Sequence, residues 1–248
     1  MNINYYGKDI IFKLDTEHTS YVIGIVDEEN FVGHVYYGKK IEDHNVAYLM
    51  RTGENLFVPS KNNRDRTSFL DAFPMEYPGN GLGDYRESAI AIRTQGGHSA
   101  ISLQYVSHNI VKGKPALQGL SATFAGEDEA ETLILHCVDE TTGVAADLMY
   151  TVFSDTDAIT RSVQITNEGM EPVYLTKVFS ACLDLDDNDY EMITLHGSWA
   201  RERQIEYRQI GHGKQSVCSL RGESSNQEHP FLAVKEKSAT QEHGDVYA

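Results

Sequence analysis

Apolar and polar residues alternate along much of this chain, the two-residue period of strands with one buried face. In residues 159–166, Ile159, Val163 and Ile165 fall on one side. The turn-forming Asn167-Glu168-Gly169 follows, and Val173, Leu175, Val178 and Phe179 carry a second strand, so a hairpin is expected here. Leu133, Leu135 and Cys137 predict one strand face and Leu148, Tyr150 and Val152 another, joined by the loop Asp139-Glu140-Thr141-Thr142-Gly143. Ile101, Leu103 and Tyr105 keep the same period. Nearer the N-terminus, residues 21–26 and 31–37 read as a further hairpin, turned at Asp27-Glu28-Glu29-Asn30.

No window carries a long apolar stripe at three-to-four spacing, and Gly, Asn and Asp clusters punctuate the short strands. Together these predict an all-β fold, a sandwich of antiparallel sheets. No repeat, low-complexity tract or Pro/Gly/Ser linker divides the chain, so residues 1–248 are expected to form a single domain. Two stretches depart from strand patterning, residues 50–83 and 184–208. Segments of that length inside a compact domain are usually functional or disordered. The last residues, His243-Gly244-Asp245-Val246-Tyr247-Ala248, read as a turn and then the opening of a strand. The expectation is that this chain is the front part of a longer protein, truncated at the C-terminal end of its fold.

Charge narrows the function classes. Lys plus Arg total 21 against 37 Asp plus Glu, a formal charge of -16. Nucleic-acid or anionic-membrane partners need a basic face, so neither is expected. Cys137, Cys182 and Cys218 are far apart and lack CxxC spacing, which suits thiols in a reducing compartment. The N-terminus shows no basic region followed by an apolar run, and no apolar run is long enough to span a bilayer. A soluble cytoplasmic protein is the expectation.

Residues 64–86 concentrate charges, aromatics and glycines. Carboxylates and guanidinium groups hydrogen-bond sugar hydroxyls, and aromatic faces cover sugar C–H surfaces, so these residue types suit a carbohydrate. They suit equally an ordered loop held by ion pairs such as Asp84 with Arg86. Asp184, Asp186, Asp187 and Asp189 offer oxygens for calcium, but the spacing is not that of an EF-hand. A solvated acidic loop is the simpler reading, with Leu183 and Leu185 ending a strand. The only tryptophan, Trp199, reads as a packed anchor with Arg201 and Arg203 paired to carboxylates. Ten histidines include no two-His-plus-carboxylate pattern at ligand spacing, so no metal and no cofactor are expected. GxSxG, phosphate-loop and dinucleotide motifs are absent.

A set of short segments resembles, in order, the N-terminal domain of bacterial α-galactosidases of glycoside hydrolase family 36. They are Gly33-His34-Val35-Tyr36-Tyr37-Gly38-Lys39, Asp65-Arg66-Thr67, Glu76-Tyr77-Pro78 with Gly83-Asp84-Tyr85-Arg86, and Ile110-Val111-Lys112-Gly113-Lys114-Pro115 with Leu120. Ile159-Thr160-Arg161-Ser162, Gly197-Ser198-Trp199-Ala200-Arg201-Glu202-Arg203, and Arg221-Gly222-Glu223-Ser224-Ser225 with Pro230-Phe231 follow. Each is weak alone; the ordered set covers nearly the whole chain.

The resemblance implies a β-supersandwich that precedes a catalytic (β/α)8 barrel lying beyond the chain end. It implies hydrolysis of terminal α-D-galactosyl groups of oligosaccharides such as melibiose or raffinose, with retention, by two carboxyl groups. Both catalytic aspartates belong to the barrel, so no residue of this chain is catalytic. The resemblance also implies a homotetramer in which a loop of this domain reaches a neighbouring active site. Matched outward from Asp65-Arg66-Thr67, its substrate-contacting residues are Arg66, the aromatic Phe57 and the acidic Glu54. Glu54 stands where the family has Asp, and Asn226 and His229 stand where it usually has His and Asn. A preference for N-acetylgalactosamine is open, because the barrel selects between these sugars. The alternative is a stand-alone carbohydrate-binding or assembly module without enzymatic activity.

Overall fold

The computed structural model describes residues 2–26, 30–50, 70, 73–81, 85–119, 122–185 and 189–248. They group into two compact units, Met1–Asp184 and Leu185–Ala248. Antiparallel sheets build both units; the alternating pattern predicts those of the first, but residues 184–208, read as departing from strand patterning, hold the strands Tyr190–Ser198 and most of Arg201–Gln209 in the second.

In the first unit, β1 (Ile3–Tyr6), β2 (Ile11–Asp15), β3 (Thr19–Val26) and β4 (Phe31–Lys39) form one four-stranded meander. The expected β3–β4 hairpin is present, with Tyr21 opposite Tyr37 and Val26 opposite Phe31. Its turn residues 27–29 lie outside the described residues. A two-stranded sheet joins β5 (Ile90–Thr94) to β10 (Val173–Val178). A second meander holds β6 (Gln104–Lys112), β7 (Ala130–Asp139), β8 (Val144–Phe153) and β9 (Ile159–Asn167). The β7–β8 hairpin turns where the sequence places it. Asp139 accepts from Thr141 N at 2.9 Å and Thr142 Oγ1 at 3.1 Å, and Gly143 takes φ +71, which favours glycine.

The expected hairpin between residues 159–166 and 173–179 is corrected. Both strands exist, but β9 pairs with β8 while β10 leaves for β5. Period and turn chemistry mark strands and corners; they do not say which edge a strand finds next.

The two meanders pack face to face. One cluster unites Phe12, Leu14, Tyr21 and Ile23 with Leu133, Leu135, Cys137, Leu148, Tyr150 and Val152. Ile159, Val163 and Ile165 pack against it, as their shared face predicts. Ile101 and Leu103 are buried in it as well, ahead of the strand that starts at Gln104. The opposite face of the first meander is also covered, by Val46 over Ile11 and Val22, and by Leu70, Phe73 and Met75 over Val26 and Phe31. Burial on both faces explains why β3 reads as a nearly continuous apolar run.

The second unit is one sheet of β11 (Tyr190–Ser198), β12 (Arg201–Gln209), β13 (Glu228–Glu236) and β14 (Val246–Tyr247), in the order β12-β11-β13-β14. The strand expected at Val246 pairs with β13, Tyr247 opposite Val234. Leu183 and Leu185 do not end a strand; they follow β10, which stops at Val178. Among the described residues no helix is long and apolar enough to cross a membrane.

Candidate functional site

The substrate-contact candidates Glu54, Phe57 and Arg66 lie in residues 51–69, outside the described residues. The frame on either side of them is described. Upstream, Asn45 Oδ1 accepts from Ala47 N at 3.0 Å and starts a 3-10 turn over Ala47–Leu49. Leu49 N and Met50 N then bond back to Val46 O and Ala47 O at 2.9 and 3.0 Å. Downstream, the chain adds itself to the outer edge of β4. His34 N donates to Pro74 O at 2.7 Å, Glu76 N donates to Val32 O at 3.0 Å, and Gly33 bridges Met75. Met50 packs against the same apolar cluster as Leu70, Phe73 and Met75, so both stems share one patch of the first meander.

One residue beyond that patch, the chain sends a carboxylate into the sandwich core. Glu76 Oε1 accepts from Tyr21 Oη at 2.7 Å and lies 2.8 Å from His34 Nδ1. Glu76 Oε2 accepts from Tyr150 Oη at 2.7 Å and lies 2.8 Å from Arg161 Nη2. Arg161 also donates to the carbonyl oxygens of Cys182 and Glu76, the latter at 3.2 Å, and its guanidinium sits 4.9 Å from the Tyr150 ring centre. Burial pushes the Glu76 carboxyl up, but Arg161 and then His34 outweigh it and hold the group at about 2. Burial and the neighbouring carboxylate push the Tyr21 and Tyr150 phenols well above their ordinary range. These pairings keep an ionised carboxylate inside an apolar core.

A catalytic carboxylate must meet substrate, and the Glu76 side chain is fully enclosed. Its work is structural. The sequence grouped Glu76 and Tyr77 with sugar-binding residue types; both are buried in the core instead, and Tyr77 Oη donates to Phe179 O at 2.8 Å. A buried Glu flanked by apolar Met75 and Tyr77, with an Arg in a distant strand, is the signal that could have pointed to this pair.

The remaining candidates separate. Asp84 lies outside the described residues; Arg86 pairs with Asp184 at 3.0 Å and donates to Phe73 O at 2.5 Å. Of the acidic cluster, Asp186 and Asp187 are outside the described residues, and Asp189 pairs with Lys237. No group of three metal-ligating side chains occurs among the described residues. The expected packed Trp199 is corrected: it is 83% exposed, because it sits in the tight β11–β12 turn beside Ala200 at φ +59. His229 follows Glu228, the first residue of β13, and its Nδ1 is buried without a hydrogen-bond partner among the described residues. A cleft of about 860 Å³ opens at one end of the first unit between residues 94–100, 140–143 and 168–173. Among the described residues no Phe, Tyr or Trp lines it.

Comparison with known proteins agrees along the whole chain. The profile of the glycosyl hydrolase family 36 N-terminal domain matches residues 30–248. The bifunctional alpha-galactosidase/sucrose kinase AgaSK of Mediterraneibacter gnavus is 38% identical over the full chain, which covers 26% of that protein. Alpha-galactosidase AgaA of Geobacillus stearothermophilus is 37% identical over the full chain, 34% of its own length. The crystal structure of AgaB from the same organism superposes with a TM-score of 0.90 at 36% identity, over 99% of this chain and 34% of that one. An AgaA variant in complex with raffinose superposes at 0.88 with 37% identity, over 95% of this chain and 33% of that one. The chain thus spans a quarter to a third of the relatives it matches, and it belongs to the family of N-terminal domains of glycosyl hydrolase family 36.

Proposed function

We propose that this chain is the N-terminal portion of an α-galactosidase that releases terminal non-reducing α-D-galactosyl groups from oligosaccharides of the melibiose and raffinose type, with retention. Both units, residues 1–248, act on this reading as one N-terminal β-supersandwich that supports a homotetramer and helps close a neighbouring active site. The observation that carries the reading is the full-length match of this chain to the opening third of AgaA, a variant of which holds raffinose in its crystal structure.

The two carboxyl groups that retention requires, one attacking the anomeric carbon and one protonating the leaving oxygen, belong on this reading to the barrel. The contribution of this chain is binding. Arg66 offers forked donors to vicinal sugar hydroxyls, Phe57 an apolar face and Glu54 an acceptor. Both flanking stems, at Met50 and at Leu70, Phe73 and Met75, pack on one patch of the first meander. The cytoplasm is the proposed compartment, consistent with three unpaired cysteines.

The test is to express the parent gene beyond residue 248 and follow raffinose hydrolysis by proton NMR. The reading expects α-galactose as the first anomer released. Release of the β-anomer first, or release of another sugar, would overturn it.

A further inference from the structure

The chain enters β13 beside a pocket of about 300 Å³ in the second unit. Ser219, Glu223 and Ser224 line it from the preceding loop, and Glu228, His229 and Pro230 from the strand itself. Local bonds fix these walls. Glu228 N donates to Ser225 Oγ and Ser225 N to Glu228 O, both at 3.2 Å, and Arg221 N donates to Ser219 Oγ at 3.3 Å. His196, opposite Glu228 in the sheet, brings its Nδ1 to 3.2 Å from Glu228 Oε2 but is not aligned for a hydrogen bond. The other ring nitrogen, Nε2, lies 2.5 Å from Thr194 Oγ1 and 3.2 Å from Glu206 Oε2. Two polar atoms are left over. Glu228 Oε2 and His229 Nδ1 are buried without a hydrogen-bond partner among the described residues, and both residues line this pocket. Buried polar groups are nearly always satisfied, so two such atoms on one pocket call for an occupant that satisfies both.

The lining defines that occupant. A carboxylate only accepts, so whatever meets Glu228 must donate. Ser219 Oγ already accepts from Arg221 N and has its own proton to give, so the same ligand must also accept. An ammonium group cannot accept, and an anion would face the carboxylates of Glu223 and Glu228. No group of three metal-ligating side chains occurs among the described residues, which leaves a metal ion too few protein ligands here. Hydroxyl groups donate and accept at once. Val217 and Pro230 add apolar surface for ring carbons, and the volume lies at the small end of ligand sites, enough for one ring. We propose that this pocket binds a single sugar ring, with one hydroxyl donating to Glu228 Oε2 and another bonded to His229 Nδ1. The site draws on residues 217–230 alone.

The test is equilibrium dialysis of radiolabelled D-glucose against the full-length parent protein and two variants, Glu228→Met and Ser224→Phe. Methionine keeps the length of the Glu228 side chain and removes its acceptor. Phenylalanine at Ser224, an exposed loop residue, fills the pocket and leaves Glu228 beside His196. The parent should bind glucose saturably. Glu228→Met should weaken that binding by about tenfold or more, the usual worth of a hydrogen bond to a charged group. Ser224→Phe should abolish it. Thermal melts that match the parent show that the variants fold; where Glu228→Met does not, Ser224→Phe carries the test alone. Unchanged affinity in a folded variant, as a glucose site elsewhere in the parent would give, overturns the proposal. So does the absence of saturable binding in the parent, the result expected if the pocket takes water only. No catalysis is measured, so the outcome does not depend on the α-galactosidase reading.

Discussion

Glu76 and Arg161, 85 residues apart in sequence, meet at 2.8 Å between the two meanders of the first unit. Tyr21 from one sheet and Tyr150 from the other complete the shell around the carboxylate. Removing one member of such a pair leaves an uncompensated buried charge and costs roughly 3–5 kcal/mol. Arg161→Met should therefore lower the free energy of unfolding by about that amount. Adding Glu76→Leu to it should recover part of the loss, because the stranded charge goes too. Urea denaturation of the three proteins decides; a loss under about 1 kcal/mol for Arg161→Met would show that water reaches the site.

The same carboxylate gives acid sensitivity a defined sign. Its folded value of about 2 lies below the ordinary glutamate value of 4.5. The unfolded chain therefore takes up the proton first as pH falls. The stabilisation is fully present above about pH 4.5 and lost as pH drops toward 2, and it amounts to on the order of 3 kcal/mol. Glu76→Gln should be less stable at neutral pH and lose less on acidification through that window. Identical acid limbs in parent and variant would contradict the assignment.

Much of this was legible in the sequence, and the failures have physical causes. The strands of the first unit follow from period-two faces such as Leu133, Leu135 and Cys137, because burial on one side dictates that pattern whatever the pairing. The pairing of β9 and β10 was misread because a turn at residues 167–169 reverses the chain equally well whether the next strand stays in the sheet or leaves it. Glu76 was misread because a charge in a Gly- and aromatic-rich segment looks exposed until its partner, far along the chain, is known. The candidate site was legible only through family resemblance. No local pattern distinguishes an arginine that holds a sugar from one that holds a loop.

Thiol chemistry offers a check on burial that needs no mutation. Burial pushes the Cys137 thiol up to about 12 and the Cys182 thiol up to about 11, whereas Cys218 is exposed. Since the thiolate is the reactive form, only Cys218 should react promptly with a disulfide reagent at mildly alkaline pH. The expected count is one fast thiol per chain, rising to three on denaturation. Prompt reaction of Cys137 in the native protein would contradict the packing of the core.

Arg66 carries the substrate-contact reading. A lost hydrogen bond from a charged donor is worth roughly 1.5–3 kcal/mol, so Arg66→Ala in the parent enzyme should lower kcat/KM by about one to two decades. On the proposed tetramer reading, the oligomer should stay intact by sedimentation. Unchanged kcat/KM in an intact assembly would assign Arg66 to holding its own loop.

The proposed function makes this chain the non-catalytic front part of an α-galactosidase. It is tested most directly by assaying residues 1–248 and the parent polypeptide side by side on p-nitrophenyl α-galactoside. The parent should release galactose, and residues 1–248 should release none above background. Turnover by residues 1–248 alone, or a parent that leaves α-galactosides untouched, would contradict it.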